Sequence, residues 1–259
     1  MKVKWGKLLK KSKALYLAYD QGMEHGPSDF DDKNVNPLDI ISIARKGKFT
    51  GLIVQKGIAE KYYAEIKKSK VGLIVKLNGK TNLHKGEPIS RQLCSVEEAV
   101  ALGAKAVGYT VYIGSEYEDE MLQEFEKIIR EAHAKGIPVI AWIYPRGKGV
   151  KGRDKGELMA YAARVGLEIG ADMVKLNYYG KEKDLKWAVE NAGRTKVVIA
   201  GGIKKTEREL IKQVKEIMAV GCVGIAIGRN VWQAKNSLKV AEKIRKIIFR
   251  EKKILRRKY

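Results

Sequence analysis

Cysteine and histidine are scarce: two cysteines, Cys94 and Cys222, and three histidines occur in 259 residues. Two cysteines without CxxC spacing cannot build a disulfide framework and point to a reducing compartment, which predicts a cytoplasmic protein. With so few histidines, no HExxH and no paired Cys/His spacing, a zinc site lacks ligands, and neither a metal nor another cofactor is expected. No apolar run reaches the roughly 18 residues of a spanning helix, and the opening MKVKWGKLLKKSK lacks the apolar stretch of a signal peptide, so no membrane partner is expected. Nor does any Ser/Pro/Gly-rich linker divide the chain, which predicts a single domain over residues 1–259.

Acidic residues are also in deficit, 30 against 52 Lys and Arg, for a net charge of +22. The excess is uneven. Residues 1–13 carry +6, residues 239–259 carry +8, and the rest of the chain carries only +8. The C-terminal stretch spaces Ile244, Ile247, Ile248 and Ile254 at helical intervals, which predicts an amphipathic helix over 239–259 with a solvated basic face. No aromatic-interleaved basic motif or nucleic-acid module accompanies it, so nucleic acid is not an expected partner. A non-catalytic basic barrel that binds RNA or an acidic partner is the contrasting hypothesis.

What repeats along the chain is a short apolar run, a polar or glycine-bearing turn, then an amphipathic stretch. The runs are ALYLAYD (14 to 20), GLIVQKG (51 to 57), VGLIVKLNG (71 to 79), AKAVGYTVYIG (104 to 114), IPVIAWIYP (137 to 145), ADMVKLNYYG (171 to 180), KVVIAGG (196 to 202) and CVGIAIGRN (222 to 230). Helical patterns are clearest in EYEDEMLQEFEKIIREAHAKG, KGELMAYAARVGLEIG and TERELIKQVKEIMAVG, each ending at a glycine suited to a left-handed C-terminus. Alternating strands and helices imply a parallel sheet, and eight units in about 250 residues predict an α/β fold, the (β/α)8 TIM barrel. The alternative, an open doubly wound sheet, requires a glycine-rich phosphate fingerprint after the first strand, and DQGMEHGP does not match it.

Active sites in such barrels form at the C-terminal ends of the strands. Those ends are polar here: Asp20, Lys56, Lys76 with Asn78, Trp142 with Tyr144, Lys175 with Asn177, and Arg229 with Asn230. Alternation places Lys175 and Asn177 on one face of the sixth strand and Val174 and Leu176 on the other, so Lys175 points into the barrel mouth. Burial and neighbouring cations such as Lys76 or Arg229 would lower its pKa and supply a neutral amine for Schiff-base formation; the competing reading is a structural ion pair with Asp20. Tyr144 is either a proton donor or an aromatic cap on the core. Gly201, Gly202 and Gly228 allow close backbone approach in the last two loops, where this fold characteristically holds phosphate. His25 and His84 follow the first and third strands, and His133 falls near a helix end that faces the opposite rim.

The stretches ALYLAYDQGMEHGPSDF, WIYPRG, GADMVKLNYYG, AGG and IGRNVWQ, in that order and spanning roughly residues 14 to 235, resemble archaeal-type class I fructose-bisphosphate aldolases. The resemblance implies a metal-independent carbon–carbon lyase acting on a sugar phosphate, in which Lys175 forms the Schiff base, Tyr144 is the general acid/base and Asp20 is a polar partner in the carbinolamine steps. It places His25, Trp142 and Arg146 around the substrate, puts a phosphate between the Gly201/Gly202 and Gly228/Arg229 loops, and implies a homo-oligomer. The chain departs from the family pattern at Gln21, where relatives often have histidine, and at Ala200, where many have serine; the segment RGKGVKGRDKG is more basic than usual. Lys148, Lys151, Arg153 and Lys155 are candidates for a second phosphate. Related Schiff-base enzymes condense other keto or deoxy sugar phosphates, including an aromatic-precursor synthase, and that substrate class is the alternative within the family.

Overall fold

Residues 3–250 are described in the computed structural model of the chain. Each predicted run contains a strand: β1 (Ala14–Ala18), β2 (Gly51–Gln55), β3 (Gly72–Lys76), β4 (Ala106–Ile113), β5 (Val139–Pro145), β6 (Met173–Leu176), β7 (Lys196–Ala200) and β8 (Gly224–Ile227). They pair in parallel in chain order, and β8 returns to β1 with Tyr16 opposite Ala226, closing a (β/α)8 barrel.

Strand alternation builds two apolar layers. Leu15, Leu17, Val54, Val75, Val174, Leu176, Ile199 and Ile225 belong to the layer shared with the helices, whereas Tyr16, Ile53, Ile74, Ile140, Trp142, Met173 and Val198 belong to a second cluster. The strand periodicity of two assigns that second set to the barrel interior. The predicted helices form over Glu118–Ala134, Lys155–Glu168 and Glu207–Ala219. Gly136, Gly170 and Gly221 follow them with positive φ, the conformation that ends a helix cheaply only at glycine.

The basic N-terminal segment lies across the N-terminal end of the barrel. Lys4 donates its backbone N–H to the Gly136 carbonyl at 3.1 Å and Lys13 Nζ donates to the Cys222 carbonyl at 3.2 Å. Between them Leu8 is fully buried and plugs the floor. A Cβ on Gly72 would lie 2.6 Å from Leu8 Cδ2, so the missing side chain makes room for the plug. The last described helix, Ser237–Ile248, buries Val240, Ala241, Ile244 and Ile248, and Lys10 Nζ sits 5.3 Å from the centre of the Phe249 ring. The N-terminal segment and the described part of the C-terminal helix therefore meet opposite the strand C-termini; residues 251–259 of the expected C-terminal helix, Ile254 among them, lie outside the described residues.

Lys48, Lys70, Lys105 and Lys135 occupy helix-to-strand turns at that same end. Each helix C-terminus presents roughly half a negative charge there, and these lysines offset it. No helix among the described residues is long and apolar enough to cross a membrane.

Candidate active site

At the strand C-termini the barrel opens into a polar cavity of about 160 Å³. Asp20, His25, Trp142, Tyr144, Arg146, Lys175, Asn177, Ala200, Gly201, Gly202, Gly228 and Arg229 all line it, so these candidates from the sequence converge on one place. Gln21, Glu24 and Lys76 line it as well.

Lys175 reaches the mouth because it follows Met173 on the inward face of β6. Its side chain is buried and its Nζ lies 4.8 Å from the centre of the Trp142 ring. Trp142 occupies that position because β4 carries a glycine beside it: a Cβ on Gly108 would lie 1.8 Å from the indole. Burial lowers the Lys175 pKa from 10.5 to about 8, with Lys76 pushing the same way and the Asp20 and Glu24 carboxylates opposing. The ion pair made by Asp20 is with Lys76, Oδ2 to Nζ 3.7 Å, and among the described residues Lys175 has no ion pair. The residues that set its charge state are Asp20, Lys76 and Glu24, whereas Arg229, also expected to act on it, pairs instead with Asp29.

Tyr144 stands two residues beyond Trp142 on β5, at the rim of the same cavity. Burial, then the nearby Asp20 carboxylate, raises its pKa well above 10, so the phenol keeps its proton across the neutral range; the Arg146 guanidinium pulls the other way. Arg146 lies over the rings of Tyr112 and Tyr144, at 5.2 and 5.6 Å, and its Nη1 donates to Glu24 Oε1 at 2.6 Å. Burial works against the Glu24 carboxylate, but this hydrogen bond and the charges of Arg146, Lys76 and His25 hold its pKa below the usual range.

The last two loops are fixed by Asn230, which donates to the Gly201 and Ile203 carbonyls at 3.1 and 2.8 Å and accepts from the Lys205 N–H at 2.8 Å. Gly202 takes a φ of +70°, the left-handed turn that favours glycine. Beyond it, a cleft of about 580 Å³ shares Asn177, Ala200, Gly202 and Arg229 with the cavity and adds Tyr179, Lys205 and Lys212.

Some expected cations lie elsewhere. Lys56 ends no strand: β2 stops at Gln55 and the chain turns at once into the helix Lys56–Lys61, which carries the amine outward to Glu98. Lys148, Lys151, Arg153 and Lys155 do not line the cavity; Lys148 pairs with Glu116 at 3.7 Å and Lys155 sits over the Tyr179 ring. Asn78 is buried in a structural role, donating to the Ser90 and Thr110 carbonyls, each at 2.8 Å. His133 bonds Asp172 at 2.9 Å, just before β6 and hence at the opposite rim. Glu24, Asp29, Lys205 and Lys212 were not among the residues expected at the site; the only sequence signal for the first was its place in the EHGP turn.

A desolvated lysine at the strand ends of a parallel barrel, beside a protonated phenol, suits an imine-forming enzyme. The chain belongs to the DeoC/LacD family of aldolases, whose model matches residues 14–234. It is 47% identical to a class 1 fructose-bisphosphate aldolase of Thermoproteus tenax over 95% of this chain and 93% of that one. It is also 41% identical to a fructose-bisphosphate aldolase/6-deoxy-5-ketofructose 1-phosphate synthase of Methanocaldococcus jannaschii, over 85% and 75% of the two chains. An archaeal fructose-1,6-bisphosphate aldolase solved with its catalytic lysine covalently bound to the carbinolamine intermediate superposes with a TM-score of 0.89 at 45% identity, covering 95% of this chain and 98% of that one.

Proposed function

We propose that the protein is a class I fructose-bisphosphate aldolase, reversibly cleaving fructose 1,6-bisphosphate to dihydroxyacetone phosphate and glyceraldehyde 3-phosphate. The observation that carries the reading is Lys175, a buried amine with its pKa lowered to about 8 and, among the described residues, no carboxylate paired to it. Its neutral form attacks the C2 ketone, and loss of water from the carbinolamine gives an iminium. Asp20, whose charge is balanced by Lys76, is placed to exchange protons in these steps. The iminium accepts the electron pair of the C3–C4 bond as the C4 hydroxyl passes its proton to solvent, from which Tyr144 is reprotonated after its own donation, releasing glyceraldehyde 3-phosphate. Tyr144 gives a proton to C3 of the enamine, and hydrolysis frees dihydroxyacetone phosphate and the Lys175 amine.

Phosphate binding falls to the Gly201/Gly202 and Gly228/Arg229 loops, with His25, Trp142, Arg146, Asn177 and Ala200 completing the substrate wall. Lys205 and Lys212, in the adjoining cleft, are better placed for a second phosphate than the basic loop after Tyr144. The same reading takes residues 1–259 as one domain and the enzyme as a cytoplasmic homo-oligomer of glycolysis or gluconeogenesis. Free, buried Cys94 and Cys222 support a reducing compartment, and Tyr161 and Trp187, each 57% exposed on neighbouring helices, support a subunit contact. A second reading, a Schiff-base aldolase on another keto or deoxy sugar phosphate, is favoured by the two activities in the name of the Methanocaldococcus jannaschii relative.

Borohydride reduction with dihydroxyacetone phosphate should leave a covalent adduct on Lys175 by peptide mass mapping, and its absence overturns the aldolase reading. Cleavage rates across a panel of sugar phosphates separate the two substrate readings.

A further inference from the structure

We propose that Asp29 is a positioning residue for this reaction, a single carboxylate that sets His25 and Arg229 together against the substrate. The inference rests on the aldolase reading of the site. Asp29 closes the one-turn segment Gly26–Asp29 after β1, and its side chain is only 12% exposed. Its two oxygens serve two partners. Oδ2 lies 2.6 Å from His25 Nδ1, and Oδ1 accepts from Arg229 Nη1 at 3.2 Å. Both partners line the cavity, whereas Asp29 does not.

The chemistry of each contact is directional. A carboxylate on Nδ1 accepts a hydrogen bond from the proton carried there and so fixes the orientation of the ring. On Arg229 the same carboxylate occupies one end of the guanidinium while Nη2 donates to the Gly202 carbonyl at 3.4 Å. The arginine is thus held at the junction of the last two loops by fixed partners and needs little reorganisation to receive an anion. Without the carboxylate a long, rotamer-rich side chain would have to be ordered by the substrate itself, at a cost in binding.

A purely structural role, stapling the first strand's loop to the last, is already filled by other groups. Gln233 Nε2 donates to the main-chain carbonyl of Asp29 at 2.7 Å, a bond that any side chain at 29 leaves intact. Trp232 Nε1 donates to the Ala18 carbonyl at 3.1 Å, and the rings of Tyr19, Phe30 and Trp232 pack together at centroid distances of 5.3 to 6.0 Å. The seam where the barrel closes therefore holds without the Asp29 carboxylate, which leaves His25 and Arg229 as what the carboxylate orders.

The test is a set of kinetic cycles on the full chain: Asp29→Ala, His25→Ala, Arg229→Ala and the two double variants with Asp29→Ala. Asp29→Ala is expected to raise KM for fructose 1,6-bisphosphate roughly tenfold or more, to change kcat much less, and to leave the melting temperature near that of the wild type. On the Arg229→Ala or His25→Ala background its effect should shrink, because the residue acts through them. Asp29→Asn keeps one acceptor oxygen and should fall between wild type and Asp29→Ala; it also serves if the alanine variant fails to fold. Wild-type KM in both Asp29 variants, or a penalty that stays the same on every background, overturns the clasp. Borohydride trapping of the wild type is run beside them: no Lys175 adduct overturns the aldolase reading and this inference with it, whereas an adduct with unchanged Asp29 kinetics overturns the clasp alone.

Discussion

Lys175 Nζ sits 4.8 Å above the Trp142 ring, in a position that exists because Gly108 on the next strand has no side chain. The ring face attracts the protonated amine, yet burial dominates and the pKa falls to about 8. At pH 7 about one amine in ten is then neutral, against about three in ten thousand at the ordinary value. The rate of Schiff-base trapping with subsaturating dihydroxyacetone phosphate should rise about tenfold per pH unit below 8 and level off above it. A profile still climbing steeply at pH 9.5 would mean an amine with an ordinary pKa.

The same burial carries a stability cost. The folded-state pKa of Lys175 lies below its unfolded value, so between about 8 and 10.5 the unfolded chain binds more protons and stability rises with pH. Below about 8 the full cost, about 3 kcal/mol, is present. Lys175→Met removes the charge at similar volume. It should abolish trapping and raise the melting temperature at pH 7 by several degrees, with a smaller gain at pH 10. Differential scanning calorimetry at the two pH values measures this, and a variant less stable than wild type at pH 7 contradicts the account.

Much of this was legible in the sequence because barrel strands are apolar on both faces except at the mouth. A polar residue such as Lys175 or Asn177 at the end of a β-branched run therefore stands out, and alternation gives its direction. Lys56 shows where the argument fails: it too ends an apolar run, but its strand stops one residue earlier and the helical turn rotates it outward. Glu24 and Asp29 were illegible for another reason. They lie in short turns without periodicity, where acidic residues are common, and their partners Arg146 and Arg229 are far along the chain. Lys205 and Lys212 were hidden because a cleft between two loops has no sequence period of its own.

Tyr144→Phe separates proton transfer from imine formation. The phenol is held protonated by burial and by Asp20, and its loss removes a proton donor without touching the Lys175 amine. Cleavage of fructose 1,6-bisphosphate should slow by about 10² to 10⁴, while borohydride trapping persists. Equal loss of both would assign the phenol to an earlier step or to packing.

Gly108→Ala tests how finely the mouth depends on packing. The new methyl would meet the Trp142 ring at 1.8 Å, and a strand flanked by paired neighbours has little freedom to yield. The indole must move from beneath Lys175, so cleavage should fall by an order of magnitude or more, with a stability loss of about 1 to 3 kcal/mol. Trp142→Phe on the same background should recover part of the stability, because the smaller ring vacates the space the methyl needs. Failure to recover any would place the damage in the backbone rather than in the ring.

The floor of the barrel offers the complementary experiment. Leu8 is fully buried at the end opposite the chemistry, packed against the Gly51 and Gly72 backbones. Leu8→Ala opens a cavity there and should cost about 2 to 5 kcal/mol. Lys175 lies at the other end of the barrel, so kcat and KM measured well below the melting temperature should stay within about twofold of wild type. Chemical denaturation and steady-state kinetics on one preparation give both numbers. A large loss of kcat with little loss of stability would mean that the floor and the mouth are coupled through the barrel strands.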